Sequence, residues 1–412
     1  MVKSYSARSS SPLAVDCLTR VDALLTLEAE WRALEPSLPA LPFNRFDWAV
    51  SWWRAFGRTT LKRRNQLRLL TFRRPSGALV GIAPMMLTSW PAHGPVRART
   101  LQFFGNDPNL TELRGPAFHV EHADECFAAL FAELAERSRS WDWLRLSGLP
   151  AECELRSFEA LPLTRGAERD TPNYVLELPE SWERLKSGLS RNTKEAIRKC
   201  YNAPKRDGVE LTFHVVTDGP ALEGAFARFL RLHAGRAERT GTVPHPNVFA
   251  RAEAREFLER AGHAFARQGR LRVFELRRHG EVVASRIGFA LGDTLYLYYS
   301  GYDAELARYS VMTRLVCESL RYALQQGFRR VNLSTGTDGS KLRWGPVKTV
   351  SRDVELVSNA LTSRALHGAF TWTARVLNGK VLPYLRAEAH ELRRARPNEA
   401  LEEPLLEDIA AQ

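Results

Sequence analysis

The residues best placed to do chemistry lie between 271 and 345. Three apolar strand patterns and a long helical one lead to a fourth strand. The turn before the helix reads Ala304-Glu305-Leu306-Ala307-Arg308-Tyr309-Ser310-Val311-Met312-Thr313. A strand, a short loop holding Arg and Ser, and a helix N-terminus together make a site for an anion. The first N–H groups of the helix lack intrahelical partners, and its dipole adds positive potential there. Ser310 can serve as the cap, and Arg308 supplies a fixed charge with bidentate geometry. The same residues also read as an ordinary capped helix beside a solvated arginine. A second basic feature starts at Ser190, where Arg191, Lys194 and Arg198 lie three to four residues apart and so share one helix face. It reads first as a solvated face, and otherwise as a surface for an anionic acceptor such as a glycan or a lipid phosphate.

The composition sets the frame for these residues. The chain has 412 residues, 44% of them hydrophobic, which is ample for two buried cores and excludes wholesale disorder. Lys and Arg number 59 against 47 Asp and Glu, a formal charge of +12 that favours anionic partners without naming one. Cys17, Cys126, Cys153, Cys200 and Cys317 are odd in number and form no CxxC pair. Neither a disulfide framework nor a metal site is indicated, and reduced cytoplasm is the expected compartment. Asp16 and Arg20 interrupt any signal-peptide core, and Pro84, Pro91, Gly94 and Pro95 break the one long uncharged stretch, so no membrane-spanning helix is expected.

The elements that would position the site follow from periodicity. In the first half, a helix is predicted over 16–35, and a short buried one over 46–56 with Phe46, Trp48, Trp52, Trp53 and Phe56. A hairpin turns at Pro75-Ser76-Gly77, and strands at 101–104 and 143–146 flank a helix at 123–137. The second half repeats this order without aligned residues. Its helices are predicted at 181–201, 221–239, 251–267 and 310–326, and its strands at 209–215, 271–277, 282–291, 294–299 and 330–334. A tail over 361–396 reads as helical with a break at Pro383, an apolar stripe from Phe370 to Leu385 and a basic end at Arg393, Arg394 and Arg396.

The series Leu295-Tyr296-Leu297-Tyr298-Tyr299-Ser300-Gly301-Tyr302-Asp303, then Arg308-Tyr309-Ser310, then Val331-Asn332-Leu333-Ser334-Thr335-Gly336 resembles the GNAT acyltransferase superfamily. More narrowly it looks like the CelD-like acetyltransferase domain, a relative of the Fem-type peptidyltransferases. Gly339-Ser340-Lys341-Leu342-Arg343-Trp344-Gly345, Leu189-Ser190-Arg191-Asn192, Leu232-His233 with Arg236, and Pro42-Phe43 with Trp48, Trp52 and Trp53 fit the same likeness, which spans about residues 40–345. The family usually has Ser-Pro-Gly where this chain has Ser310-Val311-Met312, and losing that Gly alters how backbone approaches a pyrophosphate.

The resemblance implies an α/β fold with a mixed sheet, built as tandem GNAT-like domains with a C-terminal helical extension. The divisions are 15–172 (a degenerate copy giving acceptor-side surface), 173–350 (the acyltransferase copy) and a helical tail at 356–396. It also implies a donor thioester, acyl-CoA or an acyl carrier protein, with its pyrophosphate at Arg308, Ser310, Val311, Met312 and Thr313. The acceptor is a primary amine of a sugar, amino acid or peptide. Such chemistry needs a base for the amine proton and a donor for the leaving sulfur or oxyanion. Asp303 and His233 are the implied bases, and Tyr299 and Tyr302 the implied donors. Arg236, Lys341, Arg343 and Trp344 are implied to hold substrate. Bland roles compete at each: an Asx-turn for Asp303, a packed His233, core tyrosines and a solvated Lys341.

Two rival readings fit the same residues. One is a Fem-type transferase using aminoacyl-tRNA, against which stand the lack of a coiled-coil arm and of aromatic–basic interleaving. The other is a non-catalytic scaffold in polysaccharide or lipid assembly. The tail could touch a membrane surface peripherally, although Glu402, Glu403, Glu407 and Asp408 oppose an anionic bilayer. It could equally pack on the acyltransferase domain or on another subunit.

Overall fold

The computed structural model describes residues 13–60, 63–94, 96–107, 109–238 and 246–376. The first half contributes strands β1 (Ala14–Leu18), β2 (Arg64–Arg73), β3 (Leu79–Trp90), β4 (Ala98–Phe103), the two-residue β5 (Ala117–Phe118) and β6 (Trp143–Pro150). Its helices are α1 (Val21–Thr26), α2 (Glu28–Leu34), α3 (Phe46–Phe56) and α4 (Ala123–Glu136). The second half contributes β7 (Leu163–Glu177), α5 (Trp182–Ser187), α6 (Arg191–Arg206), β8 (Thr212–Val216), α7 (Ala221–Ala237) and α8 (Ala252–Arg267). Then come β9 (Leu271–Arg278), β10 (Glu281–Leu291), β11 (Thr294–Tyr302), α9 (Val311–Gln325), β12 (Arg330–Thr335), α10 (Gly339–Leu342), β13 (Val347–Ser358) and α11 (Leu361–Val376).

All strands join one mixed 13-stranded sheet, ordered β1-β2-β3-β4-β6-β13-β7-β12-β11-β10-β9-β8, with β5 on β3. The halves mirror each other. Each has an antiparallel meander and then one parallel pair, β4 with β6 and β11 with β12. A parallel pair needs a crossover, and α4 and α9 provide it. The next strand then leaves its own half. Strand β7 follows β6 in the chain yet pairs with β12, and β13 follows β12 yet pairs with β6. These exchanged strands also pair with each other along the whole of β13. Residues 172 and 350, the expected divisions, fall inside them.

Local chemistry explains most elements. The β2–β3 hairpin turns at Gly77, whose φ of 84° favours a residue without Cβ, and Arg74 N–H bonds Ala78 O at 3.0 Å. Helix α3 is apolar on nearly every side and is buried on nearly every side, as a core helix must be. Its Trp48 ring meets Phe257 of α8 at 4.9 Å and Tyr298 of β11 at 5.9 Å, so the first half walls one face of the second.

Some expectations need correction. The predicted helix over 16–35 is instead β1 followed by α1 and α2, because residues 14–18 pair with β2. The helix predicted over 181–201 is broken between Ser187 and Arg191, where Ser190 caps α6 by accepting from Thr193 N–H at 3.2 Å. Strands β7 and β13 are absent from the sequence reading, since β7 is largely exposed and polar over its first half. Of the tail, α11 packs across β6 and the exchanged strand β13, with Phe370 5.7 Å from Trp143 and His367 Nε2 2.7 Å from Glu355. Pro383 and Arg393, Arg394 and Arg396 lie outside the described residues. Among the described residues no helix is long and apolar enough to cross a membrane.

Candidate active site

The site is built where β11 and β12 part. They pair in parallel only from Thr294 and Arg330 to Tyr296 and Asn332, after which Thr335 of β12 pairs with Asn173 of β7. On its other edge β11 carries a bulge. Arg286 pairs with Ser300 and Gly288 with Leu297, so Tyr298 and Tyr299 together oppose Ile287. A bulge shifts the alternation of side chains by one residue. Before it, Tyr296 and Tyr298 enter the core with Phe43 and Trp48, while Leu295 and Leu297 pack beside α9. Beyond it, Ser300 and Tyr302 turn into a cavity of about 240 Å³ at the start of α9.

That cavity gathers many of the expected residues. Ser310, Val311, Met312 and Thr313 line it from the helix start, and Arg236, Tyr302, Arg343 and Trp344 close the rest. Arg236 lies 5.7 Å over the Tyr302 ring. Ser310 does not cap α9 as expected, because its hydroxyl makes no cap bond and its backbone is left-handed, with φ 52° and ψ 42°. For an L-residue this conformation costs about 1–2 kcal/mol, and among the described residues no side chain caps the first N–H groups of α9.

Other expected residues sit elsewhere. The exposed Arg308 guanidinium rests 4.8 Å over the Tyr309 ring and does not line the cavity. Asp303 Oδ1 accepts from Glu305 N–H at 2.9 Å, the Asx-turn geometry. His233 is fully buried, with Nδ1 3.1 Å from Ser300 O and the rings of Phe229, Phe249 and Tyr299 around it. Burial pushes its imidazole down to about 4. The helix approaches so closely that a Cβ on Gly301 would lie 2.3 Å from His233 N. Tyr299 ties down the opposite loop: its hydroxyl donates to Asn109 O at 2.8 Å and accepts from Asn109 Nδ2 at 3.0 Å. Lys341 Nζ donates to Thr335 O and pairs with Asp338 at 3.3 Å. On α6, Lys194 bonds Ser187 O, Arg198 pairs with Glu195, and Arg191 is exposed.

Two residues that sequence reasoning missed complete the site. Glu112, from the loop after β4, bridges the gap between the parting strands. It accepts from Tyr296 Oη at 2.8 Å and from Ser334 Oγ at 2.6 Å, and burial raises its carboxyl above the usual range. Glu112 also lines a polar cavity of about 40 Å³ with Asn109, Arg114, Arg169 and Asp353. No local pattern marks it, because its partners are 184 and 222 residues away. Arg286 is the other, and it reaches Ser300 Oγ at 3.3 Å. Its signal was readable as a lone charge inside the apolar run of β10.

The family described as Acetyltransferase (GNAT) domain matches residues 191–342. No curated protein matches the chain. Among solved structures the chain is similar to FemX, at 11% identity and a TM-score of 0.54, covering 79% of this chain and 95% of that one. It is also similar to a tandem GNAT protein from the clavulanic acid biosynthesis pathway, at 14% identity and a TM-score of 0.43, covering 84% and 99%. The matched stretch is thus GNAT-like, and the FemX likeness extends a shared fold over most of the chain.

Proposed function

We propose that this chain is an N-acyltransferase that moves an acyl group from a thioester, acyl-CoA or an acyl carrier protein, to a primary amine of a sugar, amino acid or peptide. One observation carries the reading: a bulged strand parts from its parallel neighbour beside an uncapped helix N-terminus and a cavity. The uncapped N–H groups of Val311, Met312 and Thr313 suit a pyrophosphate. A pantetheine arm would run past Tyr302 and Ser300 toward the bulge. The first unit lends its surface to the acceptor side, β7 and β13 are exchanged between the two units, and the cytoplasm is the place of action.

In this reading the acceptor amine enters the strand gap from the Glu112 side. Its nitrogen attacks the thioester carbonyl carbon, an N–C bond forms, and the C–S bond breaks. Glu112 takes the amine proton, and Tyr302, on the cavity wall, donates to the leaving sulfur. A carboxyl raised by burial is better matched to this task near neutral pH than an ordinary one. His233 and Tyr299 then act as positioning residues that hold the bulged end of β11 between α7 and the Asn109 loop.

The test is equilibrium binding of a panel of CoA thioesters followed by transfer to amine acceptors. Saturable binding that raises the unfolding midpoint, with amide product, supports the reading. Transfer that needs charged tRNA and is lost on RNase treatment would replace it with the Fem-type reading. No thioester binding by folded protein would leave the scaffold.

A further inference from the structure

We propose that Arg236, Arg286 and Ser300 form a subsite for an oxyanion, a carboxylate or phosphate group carried by the substrate. Arg236 comes from the last turn of α7 and Arg286 from the middle of β10, and both donate to one acceptor, Ser300 Oγ, at 3.4 and 3.3 Å. The acidic groups whose charge reaches Arg286 are engaged elsewhere. Asp338 pairs with Lys341, and Glu112 takes the hydroxyls of Tyr296 and Ser334. Arg286 Nε is buried with no hydrogen-bond partner among the described residues. Among the described residues the lining of the cavity holds three arginines and no acidic side chain.

Two guanidiniums at one hydroxyl in a partly desolvated wall repel each other and lose hydration, a cost that an anion between them would offset. Burial lowers both, and the charge of Arg236 adds to the effect on Arg286, which falls to about 10. Ser300, already accepting from both, keeps its own proton to donate. Two guanidiniums and one hydroxyl therefore offer donors side by side, a set that suits a carboxylate or phosphate.

A pantetheine arm is uncharged, so the pair asks for a charge that this part of a thioester does not carry. The subsite rests on the acyl-transfer reading for its place in the reaction, but its existence does not. Its oxyanion is either a donor phosphate or an acceptor carboxylate.

Calorimetric titration of the full chain tests it, with sodium phosphate, sodium acetate, acetyl-CoA and S-acetylpantetheine as probes. Wild type is compared with Arg286→Gln, Arg236→Gln and Arg286→Lys, and circular dichroism and the unfolding midpoint monitor folding. Phosphate or acetate should bind at one site, and each Gln variant should weaken it about tenfold or more. Arg286→Lys, which keeps charge but loses the fork, should fall between. The ligand-free midpoint of the Gln variants should hold or rise, because one of two like charges is gone. Acetyl-CoA weakened together with phosphate, with S-acetylpantetheine unaffected, would assign the subsite to the donor. Acetate weakened with acetyl-CoA unaffected would assign it to the acceptor. Anion binding equal in all variants, absent from wild type, or a fall in midpoint without change in affinity would overturn the proposal. Wild type that binds phosphate or acetate but no acetyl-CoA would refute the acyl-CoA reading alone.

Discussion

Glu112 of the first half accepts a hydrogen bond from Tyr296 of the second at 2.8 Å, across the gap that β11 and β12 open. The same carboxylate holds Ser334 on β12. One side chain from outside the GNAT-matched stretch thus spans the gap inside it.

If Glu112 accepts the amine proton, Glu112→Gln should lower kcat about 10²–10⁴-fold with thioester affinity nearly unchanged. The wild-type rate should fall as pH drops through the raised carboxyl, with an acidic limb above the ordinary 4.5. Steady-state rates from pH 5 to 9 check both points. An unaltered kcat in the Gln variant would remove Glu112 from the chemistry.

His233 is neutral and buried, and its imidazole is lowered from 6.5 to about 4. The folded state therefore binds this proton less readily than the unfolded chain does. Stability should be complete above pH 6.5 and be lost as pH falls through about 4, by about 3 kcal/mol in total. Urea unfolding at pH 7.5 and 4.5 measures the loss. His233→Asn, which can keep a bond to Ser300 O, should flatten that dependence.

The exchange of β7 and β13 predicts that the halves depend on each other. A chain cut in the loop near residue 160 should yield fragments that copurify when coexpressed. Fragment 173–350, which lacks most of β7 and β13, should leave sheet edges unpaired and aggregate. A soluble, monomeric 173–350 fragment with a cooperative unfolding transition would contradict the interlock.

Ser310→Gly should stabilise the fold by about 0.5–1 kcal/mol, because glycine adopts the left-handed conformation without a Cβ penalty. Differential scanning calorimetry reads the change. A lowered midpoint would show that the Ser310 hydroxyl holds something that its φ of 52° conceals.

Much of the frame was legible in the chain itself. The hairpin at Gly77, the buried aromatic helix α3 and the succession β9, β10, β11, α9, β12 follow from patterns only a few residues long. Side-chain periodicity and turn chemistry act over that range, so they survive in a bare sequence. That is why residues at the start of α9 were expected in the site and line its cavity.

What the tertiary structure decided depends on contacts that no local pattern encodes. Glu112 meets Ser334 across 222 residues, and Arg236 meets Ser300 across 64. The bulge at Tyr298 and Tyr299 re-aims Ser300 into the cavity, and close packing of α7 takes His233 out of solvent. Strands β7 and β13 are specified by their partners more than by their own residues, since half of β7 is polar and exposed. The sequence by itself determined most elements and the helix start that lines the cavity, because those arise from neighbours along the chain. The carboxylate in the gap and the arginine pair in the wall were decided only when distant segments closed on one another.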